Sequence, residues 1–317
     1  MLSRYSGLLW CATFVVLDAA QAVVFGSVLQ RMDSLLVGLL VFGISSVGCL
    51  VGAPWYAPGQ IGIALRDPRT LVVLNMCTAC GWIAYLCAVQ LIEPAVVVTV
   101  FSGTIPLALI AAAAAGVRET EPLANKIELA GNAIIAFAIV VLSGITLAGL
   151  SGFMRGSMFV GLAGILLTVV SGCMMAGMLL CSYRLSRKGV GPAAMFGLRF
   201  PLYVLLTGAG YALGLDAKEA ASSPAELAWV FAIGLLVLAF PIYAVQKAVT
   251  LTSALTLGAA TALIPVVVFL MQIVEGRVAY SNATLAGLAI YIAGAVIAAA
   301  GRLKALGVER ARRALVS

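Results

Sequence analysis

Long apolar runs broken by brief polar interruptions divide the chain into ten segments, at about 7–29, 34–55, 70–92, 94–116, 128–147, 158–182, 193–213, 227–247, 253–274 and 284–303. These runs extend far beyond the lengths a soluble core helix needs, and each predicts a membrane-spanning helix. The first, Gly7 to Leu29, would be roughly 34 Å long at 1.5 Å per residue, enough for a hydrocarbon core of about 30 Å. The connections are short. Gln30 to Asp33, Tyr56 to Arg69, the bare Glu93-Pro94 and Asp216 to Glu226 leave no room for a soluble domain.

Composition agrees: 63% of the 317 residues are hydrophobic and only 10% are charged. The expected fold class is an all-α membrane protein in a lipid bilayer. Lys plus Arg exceed Asp plus Glu by 19 to 12, an excess that in a soluble chain raises nucleic-acid binding. Here the basic residues fall between spans, so they read as topology signals and no nucleic-acid partner is expected. With the N-terminus inside, fourteen Lys and Arg lie on the cytoplasmic side, against only Arg31, Arg155, Lys218 and Arg277 opposite; Arg199 lies within a span. Both termini are therefore expected in the cytoplasm. Arg4, an apolar run and Ala20-Gln21-Ala22 have the form of a cleavable signal peptide. Cleavage would break the repeat described below, so this stretch is read as a retained span. All seven cysteines fall in apolar segments, which argues against a disulfide framework, and Cys77-x-x-Cys80 without a second pair or any histidine does not make a metal site.

The two halves of the chain resemble each other. Leu129-Ala130-Gly131 and Leu285-Ala286-Gly287 open the fifth and tenth segments, and Glu119 and Glu275 each stand ten residues before the Leu. Pro106 and Pro265 sit in the fourth segment of each half, with Tyr85 and Tyr243 standing 21 and 22 residues before them. A shift of 153 pairs Arg31 with Arg184 and Asp18 with Ser171. Residues 1–150 and 151–317 are thus expected to be five-helix repeats, the second ending in a short basic cytoplasmic tail. Five is odd, so the second half enters from the opposite face, giving ten transmembrane helices as two inverted five-helix repeats. This pattern resembles the drug/metabolite transporter superfamily, specifically its EamA-type ten-helix exporters. The resemblance implies a bacterial inner (plasma) membrane, a central cavity between the halves lined by helices three, four, eight and nine, and export or exchange of amino acids or similar small metabolites. A carboxylate halfway along the first helix is similar to the proton-coupling acid of the four-helix small multidrug resistance transporters in the same superfamily. There it is usually a glutamate.

Asp18 is the twelfth residue of the first segment, and a charge at that depth costs at least ~2.5 to 3.5 kcal/mol unless it faces protein or water. Cys11, Phe14, Asp18, Gln21 and Phe25 share one helix face. Two readings of Asp18 stand: a site neutralised alternately by a proton and a substrate cation, or a structural carboxylate satisfied by neighbours or by Arg199. Gln21 either orients substrate or bonds a neighbouring helix. Arg199 could pair with Asp18, receive a substrate carboxylate, or snorkel to the surface. Pro106 and Pro265 free the carbonyls of Ser102 and Thr261 near mid-membrane, as at a gate or kink. Trp82, Tyr85, Tyr243 and Gln246 supply aromatic faces and hydrogen-bonding groups for a cavity, with Asn75 and Gln272 as extensions. Trp55, Tyr56 and Trp229, at segment ends, read as interfacial anchors. Gly287, Gly294 and Gly301 suit close packing within the protomer or across a homodimer.

The expected function is secondary active transport of a small-molecule substrate by alternating access, with protons as the coupling ion through Asp18. The alternatives are a passive facilitator or channel, or a translocator of a lipid-linked or amphipathic metabolite. No Gly-x-x-x-x-Gly-Lys-Ser/Thr occurs, so ATP is not the expected energy source. No catalytic role and no cofactor or metal is expected.

Overall fold

In a computed structural model of the chain, described over residues 2–56, 58–216, 223–241, 244, 248, 251 and 260–314, the described residues form helices and their connections, with no β-strand. Among the described residues, eight helices are long and apolar enough to cross a membrane. In chain order they are α1 (Leu2–Arg31), α2 (Ser34–Tyr56), α3 (Pro68–Leu91), α4 (Pro94–Ala114), α5 (Lys126–Leu147), α6 (Met158–Arg187), α7 (Pro192–Ala212) and, after two shorter apolar helices, α10 (Asn282–Ala314). The shorter pair, α8 (Pro224–Leu238) and α9 (Ile264–Glu275), occupy the places of the eighth and ninth apolar segments. Large apolar side chains such as Leu9, Phe137, Val140, Phe159 and Leu205 point outward. An apolar exterior over helices of this length is that of an integral membrane protein. Trp55 and Tyr56 are exposed at the end of α2, and Trp229 is exposed in the second turn of α8.

The helix ends follow local chemistry. Asp33 accepts from the Leu35 and Leu36 amides at the start of α2, Asn125 from Ile127 and Glu128 at the start of α5, and Asp67 from the Thr70 amide ahead of Pro68. Ser223 and Glu226 form a reciprocal capping box on α8. Gly276, in the left-handed region with φ 77°, terminates α9.

Two departures from regular helix matter for packing. A π turn at Leu39–Gly43 in α2 turns Phe42 fully inward. α7 breaks at Phe200, ahead of Pro201, and polar side chains from neighbouring helices mend the break. Asn75 of α3 inserts its amide where the next helical bond would lie. Its Nδ2 donates to the Leu198 carbonyl at 2.8 Å and to Leu71 at 3.0 Å, while its Oδ1 accepts from the Leu202 amide at 3.2 Å. The Gly197 carbonyl, the group Pro201 cannot reach, accepts from Ser46 of α2 at 2.8 Å.

The two most extensive helix pairs are α3 with α6 and α5 with α10. In the second pair glycines let backbones meet. A Cβ built on Gly131 would lie 2.2 Å from the Ala298 amide nitrogen, one on Gly301 2.4 Å from that of Glu128, and one on Gly287 2.4 Å from Leu142 Cδ2. The small-residue face of α10 is therefore filled by α5 of the same chain. Opposite ends of the bundle are tied differently. At one, Lys188 meets Asp67 at 2.6 Å, and Arg184 reaches Asp67 at 3.2 Å and Glu119 at 3.7 Å. The bonds from Lys188 and Thr70 hold the Asp67 carboxyl well below the usual carboxylate range. At the other end, the turns after α3, α5 and α9 knit together around Glu93.

Candidate functional site

α1 lies against α3 and α9, and the mid-helix face of α1 looks into a central cavity of about 670 Å³. Phe14, Asp18 and Gln21 form that face; Cys11 and Phe25, on the same stripe, are buried in packing above and below it. Trp82 and Tyr85 of α3 face them, with Phe101, Ser102 and Pro106 of α4, Asn132 of α5 and Tyr291 of α10. The aromatic rings form a chain: Trp82 meets Tyr85 edge-on at 5.8 Å, and Tyr85 meets Phe101 at 5.2 Å. Phe42, delivered by the π turn, backs Trp82 at 4.7 Å. Tyr291 shares the cavity wall with Ser102, one turn before Pro106.

The Asp18 carboxylate has no ion-pair partner among the described residues, although it lies mid-span on the cavity wall. Arg199 does not supply one. Its guanidinium sits over the rings of Phe196 at 5.1 Å and Phe200 at 4.8 Å and reaches Met178 Sδ at 3.6 Å, and its Nε is buried without a partner. It neither snorkels nor faces the cavity. Two further polar atoms of cavity-lining side chains are buried without partners: Trp82 Nε1 and Asn132 Oδ1.

A second cavity of about 810 Å³ continues from the first, sharing Pro106, Glu128, Asn132, Leu179 and Arg302 with it. Its outer lip carries the exposed Arg118, Tyr183, Ser186 and Arg187, so the two form one passage from the Asp67 end of the bundle to Asp18. At the throat Arg302 faces Glu128 at 3.6 Å, donates to the Pro122 carbonyl at 3.2 Å, and is paired with Glu121.

The opposite end is closed by a carboxylate. Glu93, in the connection between α3 and α4, is fully buried, as are Gln272 of α9 and Thr284 of α10. One Glu93 oxygen accepts from Gln272 Nε2; the other accepts from the Gly152 amide at 2.7 Å and the Thr284 hydroxyl at 2.8 Å. Gln272 Oε1 accepts from the Ala95 amide at 3.1 Å. Burial pushes the Glu93 carboxyl up, against the pull of those three hydrogen bonds. Around it the Arg155 amide donates to the Leu91 carbonyl, that of Ala279 to Gly152, and the Ser281 hydroxyl to Leu150.

The structure thus brings together Asp18, Gln21, Trp82, Tyr85 and Pro106. Asn75 and Gln272 are placed elsewhere, at the α7 break and the Glu93 cluster, because buried backbone breaks and a buried carboxylate need amide partners. Pro106 stays inside a continuous helix, whereas Pro265 follows a turn at Ala262 and Leu263 and begins α9; Thr261 beside it lines the cavity. Tyr243 and Gln246 lie outside the described residues. Ser171, the counterpart of Asp18 under the repeat shift, donates to the Gly81 carbonyl at 2.8 Å between α3 and α6. Glu93 escaped the sequence reading; its signal was an acid in a connection too short to hold it in water. Asn132 escaped too, a lone amide in a span of Ala, Ile and Val.

No protein-family model matches the chain, and no curated protein does. A solved structure, known only as the crystal structure of a protein, is similar to it with a TM-score of 0.62 and 18% sequence identity, over 93% of this chain and 96% of the other. The two share a fold over nearly their whole lengths.

Proposed function

We propose that the chain is a secondary active transporter of the drug/metabolite transporter superfamily, EamA-type, with ten spans in two inverted five-helix repeats. It exports or exchanges a small metabolite by alternating access, coupled to protons through Asp18. The observation that carries this reading is the passage from one end of the bundle to a mid-span carboxylate, with the Glu93 cluster closing the other end. A cavity reached from one side only, with a carboxylate at its floor, is what one half of an alternating-access cycle requires. The symmetry of the α5–α10 seam supports the repeat: Gly131 abuts Ala298 as Gly287 abuts Leu142, equivalent positions under one shift. With the Lys- and Arg-rich end in the cytoplasm, the passage is inward-facing, and the Glu93 cluster is the extracellular gate that opens in the other state.

The test is substrate-driven current in proteoliposomes challenged with amino acids, polyamines, nucleosides and small organic acids, for wild type and Asp18→Asn. We expect a current that depends on the pH gradient in wild type and vanishes in Asp18→Asn. Equal, pH-independent flux through both proteins would make the chain a facilitator and Asp18 structural.

A further inference from the structure

Glu93 sits in a connection of two residues, Ile92 and Glu93, too short to carry its carboxyl out to water, and its donors come from three separate elements. Two of those donors cannot be reversed. The Gly152 amide only donates, and Gln272 is fixed as a donor because its Oε1 already accepts from the Ala95 amide at 3.1 Å; turned over, it would set two N–H groups face to face. Thr284 differs. A hydroxyl both donates and accepts and rotates to suit, and Thr284 Oγ1 lies 2.8 Å from Glu93 Oε2, a distance that serves a bond in either direction. The cluster therefore holds two forms of Glu93: a carboxylate that accepts all three bonds, or an acid whose Oε2–H donates to Thr284 while Oε1 keeps Gln272.

The surroundings choose between them. α1 brings Arg31 at its end and Asp18 at mid-span, α3 brings Cys87, the α5–α6 connection Arg155, and the α9–α10 connection Glu275, Arg277 and Tyr280. Arg31, Arg155 and Tyr280 are exposed, and Glu275 pairs with Arg277 at 3.2 Å. α4 and the first half of α6 bring no titratable group. Among the described residues no cation holds Glu93 ionised; burial, which favours the acid, prevails over the three hydrogen bonds, which favour the anion. Opening the cluster would admit water and remove that preference. We infer that Glu93 and Thr284 form a proton latch: the outer gate shuts by taking one proton from the extracellular medium onto Glu93 Oε2 and opens by returning it to the same side, so that external pH sets how often the gate opens. The proton enters and leaves on one side, so the latch moves no net charge across the membrane. This inference rests on the reading of the Glu93 cluster as the outer gate.

The experiment is hydrogen–deuterium exchange read by mass spectrometry on the full-length protein in lipid nanodiscs from pH 4.5 to 8, each rate corrected for the intrinsic pH dependence of amide exchange. The amides of Ala95, Gly152, Arg155 and Ala279 report the gate, since each donates within or beside the cluster; peptides of the α5–α10 seam are the reference. Protection at the four amides is expected to fall as pH rises from the ordinary 4.5 of a glutamate to the raised value of buried Glu93, by up to about tenfold per pH unit, the slope of one proton, and to level off above it. The seam should keep its protection, and Glu93→Gln, with no proton to lose, should show no slope. Infrared titration of the same samples should show a carboxylic-acid C=O band above pH 4.5 that is missing from Glu93→Gln, shifts in Thr284→Val and stays in place in Thr284→Ser. Gate protection in wild type that ignores pH, or that falls equally in the seam, overturns the latch whether or not a variant folds. So does a slope in Glu93→Gln equal to that of wild type, absence of the Glu93 band above pH 4.5, or a band that Thr284→Val leaves in place. Local, Glu93-dependent opening in a protein that carries no substrate current would leave the latch standing and remove the transport reading. Substrate current with a gate indifferent to pH would do the reverse.

Discussion

Replacing Gly131 by Ala tests the seam that holds the two halves of the chain together. A Cβ there would sit 2.2 Å from the Ala298 nitrogen, 2.6 Å from its Cα and 2.7 Å from its Cβ. Ordinary contact needs about 3.5 Å, so α5 and α10 must separate by roughly 1.3 Å at that level. Two of the three obstructing atoms are backbone, and no rotamer relieves them. A gap of 0.5 to 1 Å already forfeits a quarter to a half of each dispersion contact, and Gly294 and Gly301 make similarly close approaches along the same line. The cost should reach the upper part of the usual overpacking range, about 3 kcal/mol. At roughly 2 °C per kcal/mol for a chain of this size, the melting midpoint should fall by about 6 °C. The assay is heating in detergent followed by fluorescence-detected size exclusion. Gly144→Ala is the control: it lies on the exposed side of α5, where an added Cβ meets nothing within 4 Å. Adding Ala298→Gly to Gly131→Ala removes only the 2.7 Å contact and should restore less than half of the loss. A Gly131→Ala protein that melts with the Gly144→Ala control would refute this account of the seam.

The Glu93 cluster yields a larger effect. Glu93→Ala leaves Gln272, Thr284 and the Gly152 amide without an acceptor, about 1–3 kcal/mol each at full burial, so its melting point should fall well below that of Glu93→Gln; equal melting of the two would show the cluster to be slack. Because the Glu93 carboxyl is raised above its ordinary 4.5, its contribution is fully present below that value and is lost as pH rises through the raised one; wild type should lose stability relative to Glu93→Gln as pH is raised from 4.5 to 8, and parallel profiles would contradict the shift. Asp67 has the opposite sign. Held below its ordinary 3.8 by Lys188 and Thr70, it stabilises the fold above that value and is lost on acidification, so Asp67→Asn should cost at most about 1 kcal/mol at pH 7, chiefly through the weakened pairing with Lys188 and Arg184, and nothing in strong acid. Asn75→Leu should lower the melting midpoint by the equivalent of about 2–4 kcal/mol through the unmended break in α7, yet leave ligand affinity at the cavity unchanged; a selective loss of affinity would return Asn75 to the site.

Hydrophobic run length alone located the eight long helices among the described residues and made the exterior apolar, because a bilayer imposes one length and one surface chemistry on whatever crosses it. The same rule exposed Asp18, since a carboxylate in mid-span has to face something other than lipid, and spacing by three and four put Phe14 and Gln21 beside it. Which polar group serves the cavity and which serves the scaffold was decided only in three dimensions. Asn75, Gln272 and Asn132 are alike in sequence, single amides in apolar spans, yet one mends a proline break, one bonds a buried carboxylate and one faces the passage, according to what the neighbouring helix brings opposite. Arg199 likewise stays among Phe196, Phe200 and Met178 because the folded chain sets rings against it. Glu93 was hidden for the same reason. Its three partners come from residues 152, 272 and 284, and no local pattern links positions that distant; hydrogen-bond demand in an apolar interior is satisfied by proximity in space.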